Sequence, residues 1–503
     1  MIEQNLENLR ELYTKLPTNS EGIINEETIK ISIVRNFFLM QGAEESWFDY
    51  EPFPDKSKEI KDRVDIAVKF NGIDSLEKTL YIEVKKGSKD LSSNFLTSKA
   101  CKQLVRYIHS ANLEWGILTD GNCYMLFNDS IKGSLEQKEV LRFYLFNPLN
   151  KSAKYRNESN LKYFDLKCLF RFQTTNYFKY LSEFKAYFKN ENKTENSLKQ
   201  YESTIYNFLD YTADKEKSFS LGYIDPNKFK QYLLDDISSK ITNKSKKIPD
   251  TETTIKNKFA HISSFCDMLE NKRDISVNPF RKFKSKGFKK EFISEDINIE
   301  TDNEPKELLK ESEIESILNS YNNTRESIRN KLIFLLFLYL GLDIQEIKLL
   351  KVNDIDLNKQ AIHLANRTIP LHPSIFNLLK RYIEDRNSKK IKSEYLICRY
   401  YGNHYYHFED SNFNKIISVK FNTLDIPDKR KKILNPSFIK YSLIKELFNQ
   451  GFHIEEIAKF TGLSLTSLGK YITDEDIDKK VKFNRIVKNH PYRDIFNKLN
   501  ESK

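Results

Sequence analysis

The sequence predicts a multidomain chain: an α/β N-terminal domain, a small all-α domain, and a mainly α C-terminal domain. Three observations predict it. The chain has 503 residues, more than one ordinary core organises. In its first part, period-two apolar alternation is interleaved with helical spacing. From residue 194 onward helical spacing takes over, interrupted by a basic and then an acidic stretch. These shifts divide the chain into residues 1–150, a connector 151–193, a helical domain 194–285, a linker 286–305 and a C-terminal domain 306–503.

Residues 1–20 read as an amphipathic helix with a break at Pro17. In EETIKISIVRNFFLMQG, beginning at Glu26, Ile29, Ile33 and Phe37 share a helix face and Gly42 ends it. VDIAVKF (64–70) and LYIEVKK (80–86) alternate as strands. A helix follows over Lys99–Ser110, and WGILTDG and CYMLFND read as a hairpin turning at Asp120-Gly121. Residues 151–190 are aromatic and polar and give no firm element. Helices are predicted at 196–212, in PNKFKQYLLDDI and in TETTIKNKFAHISSFCDMLENK, and VNPF closes this unit. RKFKSKGFKK (281–290) then carries six basic side chains and two phenylalanines, and EFISEDINIETDNEP is acidic. In the last domain LIFLLFLYLGL (Leu332 to Leu342) is too short to span a bilayer and reads as a buried helix. A strand pair is expected in IHLANRTIPLH.

With 39% hydrophobic and 13% aromatic residues the chain can bury real cores. Lys and Arg outnumber Asp and Glu by 82 to 71, which favours a polyanionic partner such as nucleic acid. Cys101, Cys123, Cys168, Cys266 and Cys398 form no CxxC pair, so neither a zinc ribbon nor a disulfide framework is suggested and a cytoplasmic location fits. The N-terminus lacks the apolar segment of a signal peptide, and no membrane segment is visible. The histidines are scattered without ligand spacing. No GxxxxGK[ST] loop is present, so no nucleotide cofactor is expected.

On the first strand Val64, Ile66, Val68 and Phe70 share one face and Asp65 points the other way. On the second, Glu83 and Lys85 oppose Leu80, Ile82 and Val84. Two readings fit. The polar residues are the solvated faces of two strands, or the strands pair and the trio converges. In the second case Asp65, Glu83 and the carbonyl of Val84 form a hard oxygen set for Mg²⁺ (or Mn²⁺). Lys85 would then orient a water or offset charge on a phosphodiester. Gln103 and Tyr107, at i and i+4, lie on one helix face, and Glu27 sits in the first turn of the preceding helix.

The order Glu27, RVDIAV, LYIEVKKG, KQLVRY, WGILTDG resembles the PD-(D/E)xK nuclease superfamily. Within it, the nearest resemblance is to the N-terminal domain of type I restriction-enzyme R subunits and related stand-alone nucleases. Asp120 stands where that pattern has Asn. Over residues 20–150 the resemblance implies a restriction-endonuclease-like fold, metal binding by Asp65 and Glu83, catalysis with Lys85, and supporting roles for Glu27, Gln103 and Tyr107.

GLDIQEIKLLKVNDIDL, ANRTIPL and NPSFIKYSLIKELFNQGFHIEEIAKFTGLSLTSLGKYI together resemble the tyrosine recombinase (phage integrase) family. Residues 194–285 look like its core-binding, SAM-like domain and 306–480 like its integrase catalytic domain, which implies two domains clamping duplex DNA. At the family's catalytic positions the sequence departs. Asp343 stands for the first arginine, Ser437 for His and Lys440 for Arg in H-x-x-R, and Leu463 for His or Trp. Arg367 remains without the hairpin lysine. Tyr471 matches the nucleophile, one residue short in its spacing from Gly462. Strand exchange needs positive donors on the scissile phosphate, and losing one such donor costs about 2.7–4 kcal/mol. A catalytically inactive DNA-binding module is therefore expected, with Tyr471 in packing or a phosphate contact. Arg281, Lys282, Lys284, Lys286, Lys289, Lys290, Arg367 and Lys440 are the candidate phosphate contacts. The run at 281–290 reads equally as a solvated linker. The expected function is a metal-dependent DNA endonuclease targeted by a recombinase-like module, in prokaryotic defence or a mobile element, with a homodimer or higher oligomer on DNA. The alternatives are a non-catalytic DNA-binding protein and a recombinase with an accessory nuclease.

Overall fold

Apolar alternation and helical stripes are satisfied in two separate compact units, residues 1–304 and 305–503. The structure is a computed structural model that describes residues 2–54, 62–71, 77–91, 95–146, 160–165, 168–169, 174–190, 194–242, 252–283, 307–322, 324–401 and 404–480.

In the first unit a six-stranded sheet has the order β2-β3-β4-β6-β7-β8. Its strands are β2 (Phe48–Tyr50), β3 (Ile66–Asn71), β4 (Glu77–Val84), β6 (Trp115–Thr119), β7 (Cys123–Asn128) and β8 (Glu139–Tyr144). Two short strands, β1 (Ile23–Ile24) and β5 (Gly87–Ser88), pair separately. β4 and β6 run parallel, joined through helix α4 (Ser98–Ser110), and the other pairs of the sheet are antiparallel. The crossover helix covers one face, where Leu104, Tyr107 and Ile108 bury Val64, Ala67 and Tyr81. The other face packs on α1 (Ile2–Lys15) and on a helix that runs as α2 (Glu26–Ile29), a π-helical turn (Lys30–Val34) and α3 (Arg35–Leu39). The expected β6–β7 hairpin is present. Gly121 turns it at φ +81°, and Asp120 Oδ1 accepts from the amides of Asn122 (3.0 Å) and Cys123 (2.7 Å).

Two details differ from the alternation. β3 begins at Ile66, so Asp65 lies in a bend, and Val64 packs on the α4 side rather than with Ile66 and Val68. Both sheet faces are covered, so a polar residue on β4 is not solvated by default.

The same apolar cluster continues past the sheet. It takes in Tyr163, Phe164 and helix α5 (Asn176–Asn190), then α6 (Glu195–Glu216), α7 (Pro226–Thr242) and α8 (Glu252–Asn271), and reaches Phe280. Rings meet along this path at Phe37–Tyr124 (4.8 Å), Phe143–Phe164 (5.0 Å), Phe178–Tyr206 (5.1 Å) and Phe229–Phe280 (5.9 Å). Asn160 ties the two parts with hydrogen bonds, donating to Arg142 O (2.8 Å) and accepting from Tyr206 OH (2.5 Å). Tyr163, Phe164, Tyr177 and Phe178, inside the expected connector, thus contribute to the core.

The second unit is mainly helical. Its apolar α10 (Arg325–Leu340) is packed by α12 (Pro373–Ser388), α13 (Asp410–Asn422) and α15 (Pro436–Gln450). Preceding α10 is α9 (Glu311–Asn319), and the short α11 (Ile344–Leu349) follows it. The expected strand pair is β10 (Ala361–His363) with β11 (Thr368–Pro370), and β9 (Ile355–Asp356) adds a third strand. After β12 (Cys398–Tyr401), β13 (His404–His407) and α14 (Asp428–Ile433), the chain ends its described part with α16 (Ile454–Thr461), α17 (Leu465–Leu468) and α18 (Asp474–Lys480). No helix among the described residues is long and apolar enough to cross a membrane.

Candidate active site

The β3–β4 ladder pairs Ile66 with Ile82, and Asp65 continues that register to the position facing Glu83. The Val84 amide donates to Asp65 Oδ2 at 2.7 Å. At the carboxyl end of β4, Lys85 Nζ lies 2.5 Å from Glu83 Oε1 and 3.9 Å from Glu26 Oε1. The Lys85 amide is held by Thr119 O of the adjacent parallel strand (2.8 Å). The trio therefore converges at one end of the sheet's central strands.

Burial separates the two readings of the trio. Glu83 is only 2% exposed, and its Oε2 has no hydrogen-bond partner among the described residues. A solvated strand face cannot look like this, because an unpaired buried carboxylate oxygen is costly. Burial, with the charge of Asp65 added, pushes the Glu83 carboxyl up to about 8 against the pull of Lys85. Asp65 is raised as well, by burial first, although the Val84 amide and Lys85 oppose it. For Lys85 burial works against the charge, and Glu83, Glu26 and Asp65 outweigh it.

Gln103 Nε2 donates to Tyr107 OH at 2.8 Å on α4. Tyr107 is fully buried, and burial first and the Glu83 charge next raise its pKa. Glu27 points elsewhere: its carboxylate is 62% exposed and pairs with Lys30. Its neighbour Glu26 is the helix acid whose charge reaches Asp65, Glu83 and Lys85, since one residue turns the helix face by about 100°. Sequence reasoning missed both Glu26 and Lys30. The only signal was the EETIK run itself.

In the second unit the departures from the recombinase pattern also gather. Asp343 caps α11, accepting from the Glu346 amide (2.9 Å). Arg367, with its side chain 4% exposed, pairs with Glu346 (2.7 Å) and donates to Phe460 O (2.9 Å) and Asn366 (2.9 Å). Lys440 is buried and donates to Thr461 O (3.3 Å). Burial lowers its pKa and Arg367 adds to that, while Glu346 and Asp343 oppose. Tyr471 is half-buried, 6.3 Å ring to ring from Tyr441, with its pKa raised by burial and then by Asp343. Ser437 is exposed, and Leu463 packs on the small core of α15 and α16. Arg367 and Lys440 thus lie in the field of Glu346 and Asp343, and the pairing of Arg367 with Glu346 was not anticipated from the sequence.

Arg281 is held by Glu270 and Asp267, and Lys282 lies over the Phe283 ring (4.8 Å). Lys284, Lys286, Lys289 and Lys290 lie outside the described residues.

Residues 307–475 match the phage integrase family. The chain is 23% identical over 292 residues to the tyrosine recombinase XerD of Oceanobacillus iheyensis, covering 56% of this chain and 89% of that protein. Among solved structures, XerH site-specific recombinase bound to palindromic difH substrate aligns at 16% identity and TM-score 0.44, over 61% of this chain and 86% of that one. The Tn1549 transposon integrase with transposon right end DNA aligns at 16% identity and TM-score 0.41, over 57% and 93%. The C-terminal region is thus phage-integrase-like.

Proposed function

We propose that this chain is a divalent-metal-dependent deoxyribonuclease, with its cutting centre at Asp65, Glu83 and Lys85, brought to double-stranded DNA by its recombinase-like module. The observation that carries the reading is the buried Glu83, with a partnerless oxygen beside the partly buried carboxylate of Asp65. Two desolvated carboxylates raise each other's cost of ionisation, and a hard cation relieves both. No group of three His, Cys, Asp or Glu side chains among the described residues forms a metal cage. Asp65, Glu83 and the Val84 carbonyl nevertheless fit Mg²⁺ or Mn²⁺, since Mg²⁺ commonly takes one or two carboxylates and keeps several waters.

A bound divalent ion would supply polarisation of the phosphoryl group and a water of lowered pKa. The chain's own residues do the rest. The Val84 amide fixes the Asp65 carboxylate. Lys85, next to Glu83, offsets charge on the phosphoryl oxygens as the water oxygen bonds phosphorus and the ester oxygen leaves with a proton. Gln103 and Tyr107 hold the α4 side of the centre closed to solvent.

The phage-integrase match at 307–475 supports duplex DNA as partner. Recombination by Tyr471 is the second reading. It is disfavoured because Arg367 is spent on Glu346 and Asp343 occupies the position of an arginine. Plasmid and linear DNA incubated with Mg²⁺ or Mn²⁺ decide between them. Cleavage lost in Glu83→Ala and kept in Tyr471→Phe supports the nuclease. Absence of metal-dependent cleavage in the full chain sinks it, and a protein–DNA adduct that depends on Tyr471 establishes the recombinase.

A further inference from the structure

The stretch CRYYGNHYYH, from Cys398 to His407, holds four tyrosines, two histidines and one arginine, and no acid. Its two strands, β12 and β13, form a two-stranded sheet of their own. In the register Cys398 faces His407 and Arg399 faces Tyr406. Successive residues of a strand point to opposite faces, so these two pairs lie on opposite sides of the ribbon. One side rests on the protein: Cys398 is buried, and the His407 ring lies 4.5 Å from that of Tyr395. The other side is open. Arg399 and His404 are exposed, and Tyr406 is 52% exposed.

The root of the ribbon is fixed. Arg386 of α12, only 2% exposed, donates to Ser393 O (2.8 Å), Leu396 O (3.0 Å) and Cys398 Sγ (2.9 Å). After the return strand, Phe408 is buried against the Arg329 guanidinium (5.0 Å). Asp410 then accepts from Gln345 (2.9 Å) and pairs with Lys348 (3.1 Å), both on α11. The same short helix carries Glu346, the partner of Arg367. At six residues it is about 9 Å long, so the ribbon is rooted close to Arg367.

A cation, a histidine and a tyrosine left open on one face, with no acid in the ribbon, suit a polyanion that also offers flat ring surface. Size agrees. Four residues per strand span about 13 Å, and the major groove of duplex DNA, about 12 Å wide, admits a two-stranded ribbon. We propose that the β12–β13 ribbon enters the major groove of duplex DNA, with Arg399 on a phosphate of the groove wall and Tyr406 against the base edges. The proposal rests on reading the recombinase-like module as the part that holds DNA.

The test is binding of the full-length chain to a fluorescein-labelled duplex in EDTA, where nothing depends on cutting at Asp65 and Glu83. Arg399→Ala should flatten the slope of log affinity against log salt by about 1, and Arg399→Lys should restore it. Tyr406→Ala should weaken binding several-fold at unchanged slope. A photoreactive benzoylphenylalanine placed at position 406 should crosslink to the duplex. Methylation of guanine N7, in the major groove, should reduce that crosslink, and a minor-groove ligand should leave it. If wild type binds duplex DNA and both alanine variants keep its affinity and slope, the proposal is overturned while DNA targeting stands. A crosslink to a second copy of the chain, or to single strands in preference to duplex, also overturns it. A wild type that binds no duplex removes the targeting reading and the proposal together. Binding that shows the ribbon effects in a chain without metal-dependent cleavage removes the nuclease reading alone and supports the proposal.

Discussion

Arg367 and Gly462 form a pair whose coupling follows from geometry. Gly462 ends α16 at φ +72°, and a Cβ built on it would stand 2.1 Å from Arg367 Nη1. The guanidinium is the far end of a flexible side chain, but it cannot swing away freely. It is held by Glu346 (2.7 Å) and Phe460 O (2.9 Å) in a site that leaves it 4% exposed. Gly462→Ala therefore meets two costs: about 1–2 kcal/mol for the left-handed backbone and about 1–3 kcal/mol for overpacking the guanidinium. Arg367→Met removes the ion pair and leaves the partly buried Glu346 unpaired, at a cost of about 3 kcal/mol. In the Arg367→Met background the overpacking cost disappears, so Gly462→Ala should then cost only the backbone share. The expected coupling is about 1–3 kcal/mol.

Urea unfolding followed by far-UV circular dichroism measures it. Both tryptophans, Trp47 and Trp115, lie in the first unit, so their emission serves as an internal control that stays unchanged. Additivity of the two substitutions within about 0.5 kcal/mol would refute the claim that Arg367 is pinned in place. So would an Arg367→Met variant of wild-type stability that has lost only DNA affinity.

Other outcomes follow from the same packing. Arg430 and Glu313 form a buried ion pair (2.8 Å), and Glu313→Gln should cost about 3 kcal/mol or more at pH 7 by urea titration. Burial raises the Glu313 carboxyl, but Arg430 and the Lys310 amide outweigh it and hold it below 4.5. The wild-type advantage is therefore full above pH 4.5 and shrinks as pH falls through the folded value; a flat difference down to pH 3 would contradict it. Gly121→Ala, at φ +81° with a Cβ 2.9 Å from Ile29 Cγ2, should lower the melting temperature of the first unit by several degrees. Tyr206→Phe removes the hydroxyl bonded to Asn160 and should cost about 1 kcal/mol; an unchanged urea midpoint would show that bond to be dispensable.

Alternation along 64–70 and 80–86 puts Glu83 and Lys85 on one face and pairs the strands in register, but it does not show the bend at Asp65 that moves Val64 to the α4 side. It could not show that Glu83 is buried, since that depends on α4 closing over the sheet from a different stretch of chain. Nor could it choose Glu26 over Glu27, because a helix start uncertain by one residue changes which side chain faces inward. The π-helical turn that carries Lys30 leaves no periodic signature at all. The aromatic residues of 160–190 were unreadable for a similar reason. Tyr163 packs on Phe178, and Phe178 on Tyr206, so their order exists only in three dimensions. In the C-terminal region the Asp at position 343 is legible, whereas the pairing of Glu346 with Arg367 required the fold.

The apolar cluster that joins the sheet to the helical bundle sets how the first unit comes apart. Among the described residues one apolar core is shared from Leu6 to Phe280, so half of it should not melt while the other half survives. A chain cut between α5 and α6 would leave the aromatic faces of both fragments in water, and each fragment would be driven to aggregate rather than to fold. The sheet domain and the bundle beside it should not, therefore, be expressible as independent modules. Within the first unit they share a single heat of unfolding.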